Sequence, residues 1–139
     1  MKELVQKIYD EMLSFEIWNP MNGDRWRVGG DDEEEGIYIS RNGKDLLEDG
    51  TVEETTKILS PLYFDFIQRT EEYLEAVRKG GLWTFANHFG VETEVVFGNE
   101  ADPEDESWGV ICGGDLVFSS DDIKKVAKYL REEHLDLGE

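Results

Sequence analysis

Residues 36–48, GIYISRNGKDLLE, contain the strongest fold signal in the chain. The apolar run 37–39 favours a strand, and Asn42-Gly43 is typical of a two-residue hairpin turn. Residues 44–48 then return as a second strand. Just upstream, residues 25–29 alternate between apolar and polar side chains. The N-terminal half is therefore predicted to hold three antiparallel strands.

A second hairpin of the same kind is predicted in the C-terminal half. The segments 108–112 and 115–118 flank Gly113-Gly114, which suits a tight turn. Residues 92–97 precede them and are predicted to form another strand. Each half of the chain therefore contains one glycine-centred hairpin with an additional strand before it.

Helices are predicted around both groups of strands. Apolar residues recur at intervals of three and four over 3–17 and, most regularly, over 61–79. A short helix is predicted over 52–59, and Ser60-Pro61 is expected to end it and to begin the next. Ser120 is expected to cap a last helix.

The two halves share one order of elements. In both, a helix precedes a strand, an acidic loop, two strands joined by a glycine turn, and a helix; Gly36-Ile37 matches Gly109-Val110. We predict an α+β fold of tandem α-β-β-β-α repeats, about 1–60 and 61–139, each an antiparallel meander flanked by helices. A unit this small hardly supports its own core, so the halves should pack as one compact domain, 1–139.

Composition narrows the range of functions. The 139 residues include 33 Asp and Glu against 14 Lys and Arg, which gives a net charge of −19. Nucleic acids and anionic membranes attract basic surfaces, so we expect direct binding to neither. Hydrophobic residues at 39% and aromatic residues at 12% distinguish the chain from acidic disordered segments.

Catalytic and metal-binding patterns are sparse. Cys112 lies in an apolar run and is expected to be buried and inert. His88 lies among aromatic residues, which favours a packed histidine, and His134 near the C-terminus is expected to be solvated. One cysteine and two distant histidines cannot complete a zinc site, and the acidic segments lack the ligand alternation of a calcium loop. We expect no enzyme activity, no cofactor and no metal.

Cysteine usage and the N-terminus bear on location. One cysteine excludes an intrachain disulfide, which fits a reducing compartment. Charges are scattered through residues 1–7, unlike in a signal peptide. No run approaches the roughly 20 apolar residues of a membrane span. We expect a cytoplasmic protein, in the host cytoplasm if a phage encodes it.

Two clusters of carboxylates are the candidate partner-binding residues. They are Asp31, Asp32, Glu33, Glu34 and Glu35 in the first half and Glu100, Asp102, Glu104, Asp105 and Glu106 in the second. If the repeat is real, both clusters occupy equivalent loops related by a pseudo-twofold axis. Two such loops present spaced negative charge, as a nucleic-acid mimic does to a basic protein.

In size and charge the chain is similar to phage anti-restriction and anti-CRISPR proteins and to toxin-immunity proteins. This similarity implies a non-enzymatic, stoichiometric inhibitor that blocks a basic, nucleic-acid-binding surface of a nuclease or defence complex. The alternative is a small acidic, homodimeric chaperone or adaptor that binds a protein through an apolar groove. A third hypothesis is a small-ligand pocket formed by Trp83, Phe85 and Trp108.

Overall fold

The fold is built around one antiparallel β-sheet. In the computed structural model, which describes residues 1–31, 36–98, 104 and 106–135, four α-helices and eight strands occur. Their order is α1 (Lys2–Glu11), β1 (Ser14–Trp18), β2 (Arg25–Asp31), β3 (Gly36–Arg41), β4 (Lys44–Gly50), α2 (Val52–Gln68), α3 (Thr70–Arg78), β5 (Trp83–Ala86), β6 (Glu92–Phe97), β7 (Trp108–Cys112), β8 (Asp115–Ser120) and α4 (Ile123–Tyr129). A π-helical turn, Leu130–His134, continues α4. The protein is therefore α+β.

The strand order places the two halves of the chain edge to edge. The sheet runs β4-β3-β2-β1-β5-β6-β7-β8, so each half contributes four consecutive antiparallel strands. The halves join where Trp18 of β1 pairs with Thr84 of β5. The prediction of two three-stranded meanders is therefore wrong, because each half has a fourth strand and the two sets form one sheet.

The first helix is shorter than predicted because a strand occupies its expected C-terminal part. Met12 adopts a left-handed conformation with φ 52°, and its N–H bonds to the Ile8 carbonyl, which ends α1 at Glu11. In the following strand, Phe15 and Ile17 are buried and their neighbours are more exposed. Apolar residues at such positions fit a helical stripe and a strand equally well.

The predicted break at Ser60-Pro61 is wrong, since α2 continues through Pro61. Thr51 caps this helix by accepting a hydrogen bond from the Glu54 N–H at 3.1 Å, and the Glu54 carboxylate accepts one from the Thr51 N–H. Pro61 removes the N–H that would bond to Lys57, an exposed residue. The chain instead changes direction at Arg69, between α2 and α3.

The two hairpins predicted from the sequence are confirmed and share one irregularity. Asn42-Gly43 and Gly113-Gly114 both have positive φ values at two consecutive residues, as the tight turn requires. Beyond each turn, one residue is inserted relative to the neighbouring strand, Leu46 in β4 and Val117 in β8. The two inserted residues lie equally far along the chain from their turns, and both are exposed.

The helices share one hydrophobic core with one face of the sheet. Its centre is Phe66 of α2, whose ring centroid lies 5.0–5.9 Å from those of Tyr63, Tyr73, Trp83 and Phe85. All four helices contribute buried apolar side chains to this core. Alternate strand residues, such as Arg27 and Leu116, are exposed, so the other face of the sheet is open.

The last helix begins later than predicted. Asp122 caps α4 by accepting a hydrogen bond from the Lys124 N–H at 3.0 Å, whereas the Ser120 hydroxyl accepts one from the Asp122 N–H. Ser120 therefore orients the cap and is not itself the cap. Within the described ranges, no helix has the length and apolar character needed to cross a membrane.

Candidate functional site

The two acidic clusters belong to connections at matching places in the strand order. The first lies between β2 and β3 and the second between β6 and β7. Asp31 is the last residue of β2, and Glu104 and Glu106 are exposed. The remaining members, which lie outside the described residues, are Asp32, Glu33, Glu34, Glu35, Glu100, Asp102 and Asp105.

These connections leave opposite ends of the sheet, because β1 and β5 are antiparallel. Ser14 pairs with Gly29, so β2 ends beyond the start of β1. Trp83, the first residue of β5, pairs with Val95, so β6 ends beyond the start of β5, at the opposite end of the sheet. About nine residue steps and three strand spacings separate the ends of β2 and β6, which places these two exits about 35 Å apart. This distance between the two exits is several times the ~8 Å screening length.

Arginines of the first half are engaged in contacts with carboxylates on and beside the sheet. Glu16 accepts hydrogen bonds from Arg25 at 2.6 Å and from Arg27 at 3.2 Å. The hydrogen bond from Arg25 is the main cause that lowers the pKa of Glu16. Arg41 pairs with Asp24, whose pKa is lowered first by a hydrogen bond from Asn42 and then by Arg41. These cations compensate the carboxylates that they contact.

The open face also carries a polar groove of about 590 Å³. Its lining includes Glu16, Arg27, Ser40 and Asp45, which come from four adjacent strands. Arg27 pairs in register with both Glu16 and Ser40, so these side chains form one row across the sheet. The groove has mixed charge and is distinct from the two acidic connections.

A buried asparagine organises the loop after each central strand. After β1, the Asn19 N–H bonds to the Asp24 carbonyl, and the Asn19 carbonyl accepts from the Gly23 N–H. After β5, the Asn87 N–H bonds to the Val91 carbonyl, and the Asn87 carbonyl accepts from Gly90. The asparagines are 5% and 1% exposed. Both loops therefore have a similar backbone framework, with one more residue in the loop after β1.

The Asn87 side chain connects three elements of the second half. Its Oδ1 accepts hydrogen bonds from the N–H groups of Phe89 and Val91, each at 3.0 Å. Its Nδ2 lies 3.1 Å from His134 Nδ1 and donates to Cys112 Sγ at 3.5 Å. All hydrogen-bonding groups of this amide are thus engaged, and it holds the C-terminal turn against the loop.

His134 is buried, so the expectation of a solvated histidine is wrong. It is 5% exposed, and its ring packs on Tyr129 with centroids 5.1 Å apart. Burial lowers the pKa of His134, and nearby His88 lowers it further, while Glu133 opposes the shift. The residue lies near the C-terminus in sequence, but the fold returns it to the core.

Cys112 is half-buried, which makes it more accessible than expected. Its Sγ accepts hydrogen bonds from Asn87 Nδ2 at 3.5 Å and from Thr93 Oγ1 at 4.0 Å. Across the described residues, no group of three or more His, Cys, Asp or Glu could hold a metal ion.

Around Asn19, by contrast, the surface is open. A groove of about 460 Å³ is lined by Trp26, Tyr73, Arg41 and Arg69 among others. Asn19 Nδ2 donates to the Tyr73 hydroxyl at 3.5 Å, and that hydroxyl donates to Asp65. The contact between the asparagine and its helix is therefore longer here than in the second half.

The proposed aromatic ligand pocket is wrong in its composition. Trp83 and Phe85 are fully buried in the core. Trp108 is 5% exposed and donates its indole N–H to the Leu74 carbonyl at 2.9 Å. It lines a groove of about 390 Å³ together with Phe97, not with the other two residues.

Comparison with known proteins supplies no relative: no family model, curated protein or solved structure matches the chain. Sequence reasoning missed the two asparagine-centred loops. The available signal was an asparagine followed by a glycine within four residues, at Asn19 with Gly23 and at Asn87 with Gly90.

Proposed function

We propose that the protein is a non-enzymatic acidic binding protein that blocks a basic, nucleic-acid-binding surface of a nuclease or defence complex. One observation carries the proposal: the two acidic clusters belong to connections at opposite ends of one sheet. Their separation of about 35 Å is close to one turn of duplex DNA. A protein that binds DNA along one turn therefore has a matching pair of basic sites.

The overall charge supports such a function. A net charge of −19 produces a field that accelerates encounter with a basic partner and disfavours acidic ones. Arg25 and Arg41 form ion pairs with Glu16 and Asp24, carboxylates that lie outside both clusters. Binding is expected to be stoichiometric and to exclude nucleic acid from the partner.

We further infer that the chain consists of two tandem repeats, each a helix, four strands and a helix, with the boundary at Arg69. The matched turns, inserted residues and asparagine loops support this inference. The caps Thr51 and Asp122 also lie at equal distances from their hairpins. When the two hairpin turns are aligned, Ile39 corresponds to Val110. The match of Gly36-Ile37 with Gly109-Val110 made from the sequence is therefore wrong by two residues.

The alternative is a chaperone or adaptor that binds through apolar side chains. It is favoured by the open face of the second half, where Leu116 is 64% exposed and Val96 and Ile111 lie on neighbouring strands. Apolar binding responds weakly to salt, whereas binding through exposed charge is screened. Salt dependence therefore separates the two functions.

The test begins with capture of the partner on immobilised protein from lysate of the source organism or its host. Stopped-flow association with the captured partner is then measured at low and high salt. Replacing all ten cluster carboxylates by Asn or Gln should slow association by at least tenfold at low salt, because charge acts mainly on the on-rate.

A matched control neutralises carboxylates outside both clusters. Asp10, Glu11, Glu48, Asp49 and Glu94 are exposed, so their replacement changes the net charge with little effect on the fold. The five-residue control is compared with neutralisation of one cluster. Equal slowing by the control and by either single-cluster variant, or association that is insensitive to salt, would contradict the mimic function and favour the apolar alternative.

A further inference from the structure

The two edges of the sheet differ in how they are protected. Within the described part of the chain, no strand pairs with the outer side of β4 or of β8. Exposed edges invite pairing with other chains, and charged residues normally prevent it. β4 carries Lys44, Asp45, Glu48 and Asp49, whereas β8 has one charged residue, Asp115, followed by five uncharged ones.

The β8 edge is also apolar. Leu116 is 64% exposed and Val117 is 46% exposed. Phe118 stacks on Tyr129 of α4 with ring centroids 4.3 Å apart and the planes nearly parallel, and both residues are only partly buried. This edge therefore combines free backbone groups with apolar side chains, the two features that strand addition uses.

The helix beside this edge has a charge pattern that is complementary to itself. Lys124, Lys125 and Lys128 are exposed in α4, and Glu132 and Glu133 are exposed in the π-helical turn that continues it. Residues 115–134 contain five carboxylates and four cationic side chains, so this region is close to neutral in a chain of charge −19. A second copy is repelled least at this edge.

We propose that β8 pairs antiparallel with β8 of a second copy, forming a twofold dimer through a continuous sheet. Because α4 lies on the core side of β8, the same twofold axis sets α4 antiparallel to its counterpart. The lysine-rich part of each helix then faces the glutamates of the other. A basic partner would instead meet three lysines here, so charge complementarity selects a second copy as the occupant.

The salt dependence of this dimer has the opposite sign to that of binding to a basic partner. Two chains of charge −19 repel each other at long range, and added salt screens that repulsion. Salt also screens the Lys–Glu contacts, but strand pairing and apolar contacts do not depend on it, so the dimer should persist as salt rises. This inference does not rest on the proposed inhibitor function, and either can fail without the other.

Val117 and Leu46 provide a matched pair of variants. They are the inserted residues of the two edge strands and have similar exposure, 46% and 43%. The experiment is sedimentation velocity or light scattering over a wide range of protein concentration, with melting curves to verify folding. The wild type and Leu46→Lys should reach twice the 16.0 kDa chain mass, whereas Val117→Lys should remain at one chain mass. The melting temperature of Val117→Lys should match that of the wild type measured at concentrations too low for the dimer to form.

Three results would overturn the proposal. One is a wild-type protein that stays monomeric at every concentration in both low and high salt. The other is a dimer that Leu46→Lys dissociates while Val117→Lys leaves it intact, which would place the interface at β4. A dimer that neither variant changes also contradicts pairing through β8, because a lysine at the centre of the apolar edge introduces like charges across the twofold axis.

Discussion

The loops after β1 and β5 have the same kind of backbone hydrogen bonds around an asparagine but opposite surroundings. The Asn19 amide makes a long contact of 3.5 Å to Tyr73 beside an open groove of about 460 Å³. The Asn87 amide approaches His134 at 3.1 Å, and the C-terminal turn covers it. One framework therefore supports an open site in one half and a closed, fully bonded site in the other.

The two asparagine side chains should contribute differently to the stability of the fold. In the second half, Asn87 satisfies two loop N–H groups and anchors His134, so removing it leaves several buried polar groups unpaired. In the first half, the Asn19 side chain accepts from one N–H, that of Met21, and donates to Tyr73. The closed loop should therefore be the more sensitive to substitution.

The largest expected effect is on the free energy of unfolding of Asn87→Ala. Loss of the side chain should cost about 3 kcal/mol, against about 1 kcal/mol for Asn19→Ala, since each unpaired buried group costs roughly 1–3 kcal/mol. Urea unfolding at neutral pH measures both values. Equal costs for the two variants would show that the closed and open loops contribute alike to stability, which would contradict the prediction.

A smaller effect is expected for Tyr73→Phe at the open site. Burial, followed by the hydrogen bond to Asp65, raises the pKa of Tyr73 to about 12, so the hydroxyl is neutral and donates to that carboxylate. Removing it should cost about 1 kcal/mol and leave the Asn19 amide without its acceptor. In the Tyr73→Phe background, Asn19→Ala should cost less than it does alone. Additive costs would show that the two groups are not coupled.

The parts of the fold that local chemistry determines were predictable. Both hairpins followed from Asn42-Gly43 and Gly113-Gly114, because two positive φ values favour these residues wherever the chain lies. β1 was missed because its apolar residues continue the helical spacing of α1. β5, Trp83–Ala86, has four residues, too few for a periodic pattern to distinguish strand from helix.

The candidate sites were predictable only where they depend on composition. The acidic clusters are visible in the sequence, but their position at opposite ends of the sheet depends on the antiparallel pairing of β1 with β5. The partners of Asn19 and Asn87 lie 54 and 47 residues away in sequence. No local pattern specifies contacts of that range, so the burial of His134 could not be anticipated from its neighbours.

The closed site should also make stability depend on pH. Because burial lowers the pKa of His134 below that of an unfolded histidine, about 6.5, the unfolded state binds the proton more readily. The contribution is fully present above pH 6.5 and is lost as the pH falls through the folded pKa. Protonation of His134 at Nδ1 would also place two hydrogen-bond donors face to face, because Asn87 Nδ2 lies 3.1 Å from that atom.

Unfolding free energies measured between pH 7.5 and about 5.5 test this dependence, above the range in which ordinary carboxylates titrate. The wild type should lose stability toward pH 5.5, and His134→Gln should flatten the profile. His88→Gln is the comparison variant. It leaves the buried histidine in place but removes the neighbour that helps to lower its pKa, so it should weaken the pH dependence without abolishing it. If His88→Gln flattened the profile and His134→Gln did not, the pH dependence would not arise from His134 and the prediction would be wrong.

The smallest effect on stability is expected at the acidic clusters, where the two halves should behave alike. Replacing Asp31–Glu35, or the five carboxylates of the second cluster, by amides should change the free energy of unfolding by less than about 0.5 kcal/mol. Removal of like charges from a chain of charge −19 can even stabilise it. Melting curves at low salt measure this directly.

Because the clusters lie about 35 Å apart, beyond several screening lengths, their effects on association with a basic partner should multiply in the combined variant. Slowing by one cluster alone would mean that the matching topology of the two connections has no part in binding. In that case the partner contacts a single end of the sheet.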